Sequence, residues 1–155
     1  MFASAQRDRV SLFAALSLWA IIAVALVRHP PDNILTWDTF GYYLYLPATF
    51  VHHDPAVHDV TWVKDVVDTY HNTGTIYQLS QLPDGRSVMK YPMGMAMLWL
   101  PFYAVGDVLA RITGHARDGF SAPYQWSIIC ALLLYSIAGL LVLRRVLLVY
   151  FNDAI

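Results

Sequence analysis

The chain has 155 residues, 57% of them hydrophobic and only 14% charged, against roughly a quarter charged in ordinary soluble domains, which argues against a free soluble domain. All eleven acidic residues are Asp and Arg outnumbers Lys eight to two, so the Glu/Lys solvent faces of soluble helices are missing. A net charge of −1 and the lack of any Lys/Arg run argue equally against a nucleic-acid binder.

Residues 10–27, VSLFAALSLWAIIAVALV, form the first uncharged stretch close to the ~20 apolar residues that a transmembrane helix requires. Arg7 and Arg9 before it and Ala23-Val24-Ala25 within it also suit a cleaved signal peptide. The apolar run is longer than a signal core of ~7–15 residues, and Arg28-His29 follow it directly, so a retained anchor is the better reading.

Residues 28–91 are too long and too patterned for a plain connector. Phe40 to Phe50, FGYYLYLPATF, is crowded with aromatics that suit a helix half-sunk among lipid headgroups. Asp54-Pro55 reads as an N-cap with proline at the first helical position, and Val60, Val63, Val67 and Tyr70 recur at helical spacing until Gly74. Thr75 to Gln81 and Arg86 to Tyr91 flank the turn sequence Leu82-Pro83-Asp84-Gly85, which predicts a short hairpin.

A second apolar stretch, residues 92–112, is interrupted by Pro101 and carries Asp107 and Arg111 at i, i+4, placed to pair at the interface. Residues 113–123 then connect to a third, residues 124–143, with Tyr124 and Trp126 at one end and Arg144-Arg145 at the other. The expected fold is an all-α membrane protein of three transmembrane helices, with an amphipathic, partly helical extracytoplasmic loop between the first and second. Arg7, Arg9, Arg111 and Arg117 put the N-terminus and the 113–123 connector in the cytoplasm by the positive-inside rule. The 28–91 loop, with four basic and seven acidic residues, then lies outside. Arg144-Arg145 also fall outside in this arrangement and run against the rule. Ser136, Ala138 and Gly139 offer a small-residue face for close helix packing. Cys130, the single cysteine, reads as a small buried hydrophobe within the third stretch.

Two strings carry a resemblance. Asp-x-x-Gly-Tyr-Tyr-x-Tyr-Leu-Pro, beginning at Asp38, is followed by Lys90-Tyr91-Pro92-x-Gly94 and an apolar run with Pro101-Phe102. Together they resemble the N-terminal part of bacterial GT-C-fold membrane glycosyltransferases of the protein-mannosyltransferase and aminoarabinose-transferase superfamily. The resemblance extends from about Val10 to Leu143. It implies a multi-pass protein of the bacterial inner membrane that uses a polyprenyl-phosphate-linked sugar. It also implies that Asp38 is the acidic residue facing the donor, as general base or acceptor-orienting group in an inverting transfer. Thr39 stands where family members often carry a second acid, which weakens any paired-carboxylate or metal role there. Lys90 and Tyr91, with Tyr42 and Tyr43, are the implied substrate-contacting residues.

Read without the resemblance, Asp38 suits a helix N-cap, and Lys90 and Tyr91 suit interfacial anchors. His52, His53, Asp54 and His58 are weak candidates for a divalent metal, because their spacing fits no strong ligand pattern and adjacent histidines point apart. No cofactor is expected otherwise. Expected partners are membrane lipid, the lipid-linked donor and further helices or subunits, but no nucleic acid. Three helices cannot enclose a polyprenyl phosphate and an acceptor together, so 155 residues are expected to be part of an enzyme. The alternative is a small non-catalytic membrane protein, a remnant or a partner subunit.

Overall fold

A computed structural model describes residues 9–151 and 153. The protein is an all-α membrane protein with, among the described residues, three helices long and apolar enough to cross a bilayer, α1 (Val10–Arg28), α5 (Gly94–Thr113) and α6 (Ala122–Tyr150). Between α1 and α5 lie α2 (Trp37–Tyr43), α3 (Tyr45–Phe50), α4 (Thr61–Tyr70) and the strands β1 (Leu79–Gln81) and β2 (Ser87–Met89). The chain divides into two compact units, one formed by the segments up to Pro31 and from Ala131 onward, the other by Asp32–Cys130.

In the first unit α1 runs antiparallel to the later part of α6. Trp19 Nε1 donates to the Leu133 carbonyl over 2.9 Å, and Arg144 Nε donates to Ser11 Oγ over 2.8 Å. The Asp153 carboxylate accepts from the Val10 amide at 2.9 Å and so satisfies one of the free N–H groups of the first helical turn. No residue of α1 is buried by protein. A helix apolar on nearly every face, half-covered along the stripe of Ser11, Ala15, Trp19 and Ala23 and exposed on the others, suits lipid as its solvent.

The second unit has an aromatic core. Phe40, Tyr43, Trp99, Tyr103, Phe120 and Tyr124 are all buried, with the Tyr43 ring 5.6 Å from Phe120, 5.9 Å from Tyr103 and 6.3 Å from Trp99. Tilted and edge-on pairs at such separations add about 0.5–1.5 kcal/mol each beyond the area they bury. The aromatics of the Phe40–Phe50 stretch therefore split: Phe40 and Tyr43 fill a protein interior instead of lying among headgroups. On α5 the buried residues Ala96, Trp99, Tyr103, Gly106 and Ala110 repeat at three and four positions and form one stripe. Gly106 is required there, since a Cβ on it would lie 2.9 Å from Tyr124 Cα. The helix passes through Pro101 without a break, contrary to the interruption expected from sequence.

Other local expectations are corrected by the structure. Asp54-Pro55 opens a turn, not a helix. The amphipathic helix begins at Thr61, whose amide and hydroxyl both donate to the Asp59 carboxylate, and it ends at His71 in the left-handed conformation, three residues before Gly74. Its buried side chains are Trp62, Val63 and Val66. The hairpin forms as expected but shorter, with Leu79 opposite Met89 and Gln81 opposite Ser87. Asp107 pairs with Arg117 and not with Arg111: Arg117 Nη2 and Nε reach the two carboxylate oxygens at 2.7 and 3.0 Å, and the Tyr124 hydroxyl adds a third bond at 2.7 Å. Cys130 is exposed on its helix.

The connector between α5 and α6 packs on the loop that sequence assigns to the opposite side of the membrane. The Tyr70 hydroxyl donates to the Asp118 carboxylate, the Tyr43 hydroxyl donates to the Gly119 carbonyl, and the Phe120 ring lies 5.8 Å from Phe40 and 5.9 Å from Tyr70. Residues 113–123 and 32–91 thus belong to one layer, because the aromatic side chains at 40, 43 and 70 find their apolar partner in Phe120.

Candidate functional site

Asp38 lies in the first turn of α2, with Thr36 at the N-cap position. Its side chain does not cap the helix. It turns toward Tyr77 and Tyr91, whose hydroxyls both donate to Oδ1, Tyr77 at 2.8 Å. Among the described residues Oδ2 has no hydrogen-bond partner, and Asp38 is exposed. The carboxyl is held below the usual Asp range by the Tyr91 hydrogen bond above all and then by that of Tyr77; burial opposes them, and the nearby Lys90 charge adds the smallest lowering effect. Tyr91 responds in the opposite sense: the hydrogen bond that its phenol donates to the Asp38 carboxylate raises its pKa above all, because ionisation would forfeit that bond, and burial, Tyr77 and the carboxylate's charge act in the same direction.

Three close approaches fix this arrangement. Tyr91 stands directly on Gly41, where a Cβ would come within 2.2 Å of its ring. The Tyr45 hydroxyl donates to the Tyr91 carbonyl at 2.7 Å, and the Tyr42 ring lies 4.6 Å from the Tyr91 ring. Lys90 Nζ lies 5.0 Å from the Tyr77 ring and 5.3 Å from the Tyr91 ring, the range of a cation over an aromatic face. Its amide donates to the Gln78 carbonyl at 2.8 Å, which links it to the strand that brings Tyr77 in.

The turn before Asp38 is held by buried amides. Trp37 has φ of 51°, a left-handed conformation costly for a bulky residue. Its amide donates to the Asn72 carbonyl at 2.8 Å and its carbonyl accepts from Gln78 Nε2 at 3.2 Å. Asn72 Nδ2 further donates to the Leu35 carbonyl at 2.6 Å. Asn72 and Gln78 are each 1% exposed. Their bonds satisfy a stretch of backbone that no helix or strand covers and hold Trp37 where α2 must begin.

Of the residues singled out from sequence, Asp38, Lys90, Tyr91 and Tyr42 come together. Tyr43 does not join them; it is fully buried in the aromatic core. The histidines do not converge either. His52 stacks on Trp62 with ring centroids 3.9 Å apart, His53 is exposed, and His58 pairs with Asp54 at 2.8 Å. Among the described residues no three His, Cys, Asp or Glu side chains are grouped to hold a metal ion. Tyr77, Asn72, Gln78 and Trp37 were not singled out, since no local pattern links them to Asp38.

Chemically the cluster is an ionised, exposed carboxylate with one oxygen committed to two phenols and the other open, beside a cation and several aromatic faces. Such a group can accept a hydrogen bond from an incoming hydroxyl. The cation beside it can meet an anion. Comparison of the chain with known proteins finds no matching family model, curated protein or solved structure.

Proposed function

We propose that the protein is part of a membrane glycosyltransferase of the GT-C type, in which this chain contributes the acidic residue and the layer that positions it. The donor is a polyprenyl-phosphate-linked sugar on the outer face of a bacterial inner membrane, and the N-terminus is cytoplasmic. The observation that carries the reading is the open Oδ2 of Asp38 beside Lys90, on a carboxylate whose other oxygen is fixed by Tyr77 and Tyr91. In the transfer, the oxygen of an acceptor hydroxyl bonds to the anomeric carbon while the bond from that carbon to the phosphate oxygen breaks, and the polyprenyl phosphate leaves on the opposite face. Oδ2 accepts a hydrogen bond from the hydroxyl and aims the attacking lone pair, and the proton released as the new C–O bond forms passes to the departing phosphate or to water at the membrane surface. A carboxylate held below its usual pKa is a weak proton acceptor, which favours the orienting role over that of a full base. Lys90 faces the leaving phosphate as a point charge, and Tyr42 and Tyr91 offer ring surfaces to the sugar.

Asp38→Asn tests the reading in membranes supplied with a radiolabelled polyprenyl-phosphate sugar. Transfer is expected to fall by about 10²–10⁴, the usual weight of a positioned acid or base, while photo-crosslinking of the lipid donor persists. Transfer that survives Asp38→Asn overturns it. A partner-subunit reading draws on a different observation: Gly139 has no neighbour within 4 Å of an added Cβ, so its face is open to another helix. Enlarging Gly139 would then abolish assembly and leave Asp38→Asn silent.

A further inference from the structure

By length and composition α5 is able to cross a bilayer, and it is the least hydropathic of the three long helices. Its surroundings bear on whether it does. At its first turn the chain arrives from Tyr91, which is bonded to Asp38. At its last turn the chain leaves through a connector bonded to Tyr70 and Tyr43. Between these points α2 and α3 run beside it, with Tyr43 against Trp99 and Tyr103, and Phe50 against Tyr103 at 5.8 Å. A crossing α5 would drag the irregular backbone at 51–60 and 114–121, with His53, Asp54, Asp59 and Asp118, to the far side of the bilayer or into its hydrocarbon. Lipid does not tolerate open backbone at depth, and charges there are costly.

Two relationships, one in each unit, bear on where the chain goes. In the Asp32–Cys130 unit the Ile34 amide donates to Gln125 Oε1 at 3.2 Å, so the chain leaves this unit beside the point where it began it. In the other unit α1 and α6 are antiparallel, which sets Ser11 beside Arg144 and Trp19 beside Leu133. Two antiparallel helices that cross together bring Arg9, Arg144 and Arg145 to one face of the membrane and Arg28 to the other. That moves the Arg144-Arg145 pair to the side the positive-inside rule favours and places Arg111 and Arg117 on the other, where Arg117 is paired with Asp107. The packing of the connector on the 32–91 loop, and not the arginine count, decides between two crossings and three. The outward face of α5 remains. Met97, Leu98, Val105, Val108, Leu109 and Ile112 are 42–74% exposed there, opposite the stripe that the aromatic core covers.

We propose that α5 lies along the membrane surface with this apolar face in lipid, on the same side as all of Asp32–Cys130, and that the chain crosses the bilayer twice, through α1 and α6. An amphipathic helix of this kind sinks about 5–10 Å into the boundary between headgroups and acyl chains. The surface that docks on lipid is then part of the layer holding Asp38, whose height over the membrane it sets. The inference is independent of the chemistry assigned to Asp38.

The test uses the full chain in native membranes with Cys130→Ser as background. Ser80→Cys on the hairpin and His115→Cys on the connector are exposed to a membrane-impermeant maleimide in right-side-out and in inverted vesicles, with Ala116→Cys as a second connector probe. Labelling of hairpin and connector from the same side is expected. Labelling from opposite sides, or a connector reached only after detergent, overturns the proposal. Spin labels at Met97→Cys and Val108→Cys read the tilt directly. These sites are ~16 Å apart along a helix, and similar depths for the two are expected. A depth difference approaching that spacing means that α5 crosses.

Discussion

Tyr91 and Asp38, 53 positions apart in the chain, share a hydrogen bond in which the phenol donates to Oδ1. Each group holds the other in one protonation state, the acid ionised and the phenol neutral. Much of the rest of the candidate site, from Gly41 beneath Tyr91 to Asn72 behind Trp37, keeps this pair in register.

The pair gives opposite pH dependences at its two ends. Asp38 has its pKa lowered from 3.8, so its contribution to stability is complete above that value and is lost as pH falls through the lower folded-state pKa. Tyr91 has its pKa raised from 10.0, so its contribution is present below 10 and is lost as pH rises through the folded-state value. Ultraviolet titration of tyrosinate absorbance in detergent checks this. Asp38→Asn is expected to move one phenol down toward an ordinary tyrosine midpoint, and a difference spectrum flat between wild type and variant counts against the pairing.

Gly41→Ala places a methyl group 2.2 Å from Tyr91 Cδ2. The ring must move, since α2 backbone cannot, and overpacking of this kind costs about 1–3 kcal/mol. A lower melting temperature is expected, together with the same phenol shift that Asp38→Asn produces. Gly74→Ala, with open space around its Cβ, serves as the neutral control.

Asn72→Ala removes the donor to the Leu35 carbonyl and leaves that oxygen buried without its partner. A loss of about 1–3 kcal/mol is expected, measured by denaturant unfolding. Because the Trp37 turn loosens with it, the exposed indole emission should shift in the native baseline as well.

Gly119 has φ of 86°, and a Cβ on it would lie 2.9 Å from the Pro47 side chain. Gly119→Ala therefore meets a strained backbone and a filled space at once and is expected to destabilise by more than Tyr43→Phe, which removes only the hydroxyl bonded to the Gly119 carbonyl, worth about 1 kcal/mol. Equal melting temperatures for the two variants would show that the connector does not pack on α3.

Length and hydropathy made the three long helices readable, because a run of about twenty apolar residues has few other uses. The hairpin was readable through Pro83 and Gly85, whose backbone preferences are local. The start of α4 was not: Asp54-Pro55 and Asp59 both carry capping chemistry, and the amide of Asp54 is taken by the Ala48 carbonyl, which makes a turn of the first pair. Asp38, Tyr42, Lys90 and Tyr91 could be named from their strings. Tyr77 could not, since it meets Asp38 only after a hairpin and a helix have folded back, and no periodicity encodes that meeting. Arg117 displaced Arg111 at Asp107 for a similar reason: the turn at Gly114 sends the chain back, so ten residues of separation become 2.7 Å.

The bond between the Ile34 amide and Gln125 Oε1 bears on how the protein assembles. For α1 to find α6, roughly a hundred intervening residues must first bring their ends together, an entropic cost of about 4 kcal/mol for a flexible loop of that length. Because Asp32–Cys130 joins its own ends as it folds, that cost is met by its aromatic core and not by the helix pair. The insert acts as a clasp: its own packing draws together the two ends of the long segment that separates α1 from the later part of α6.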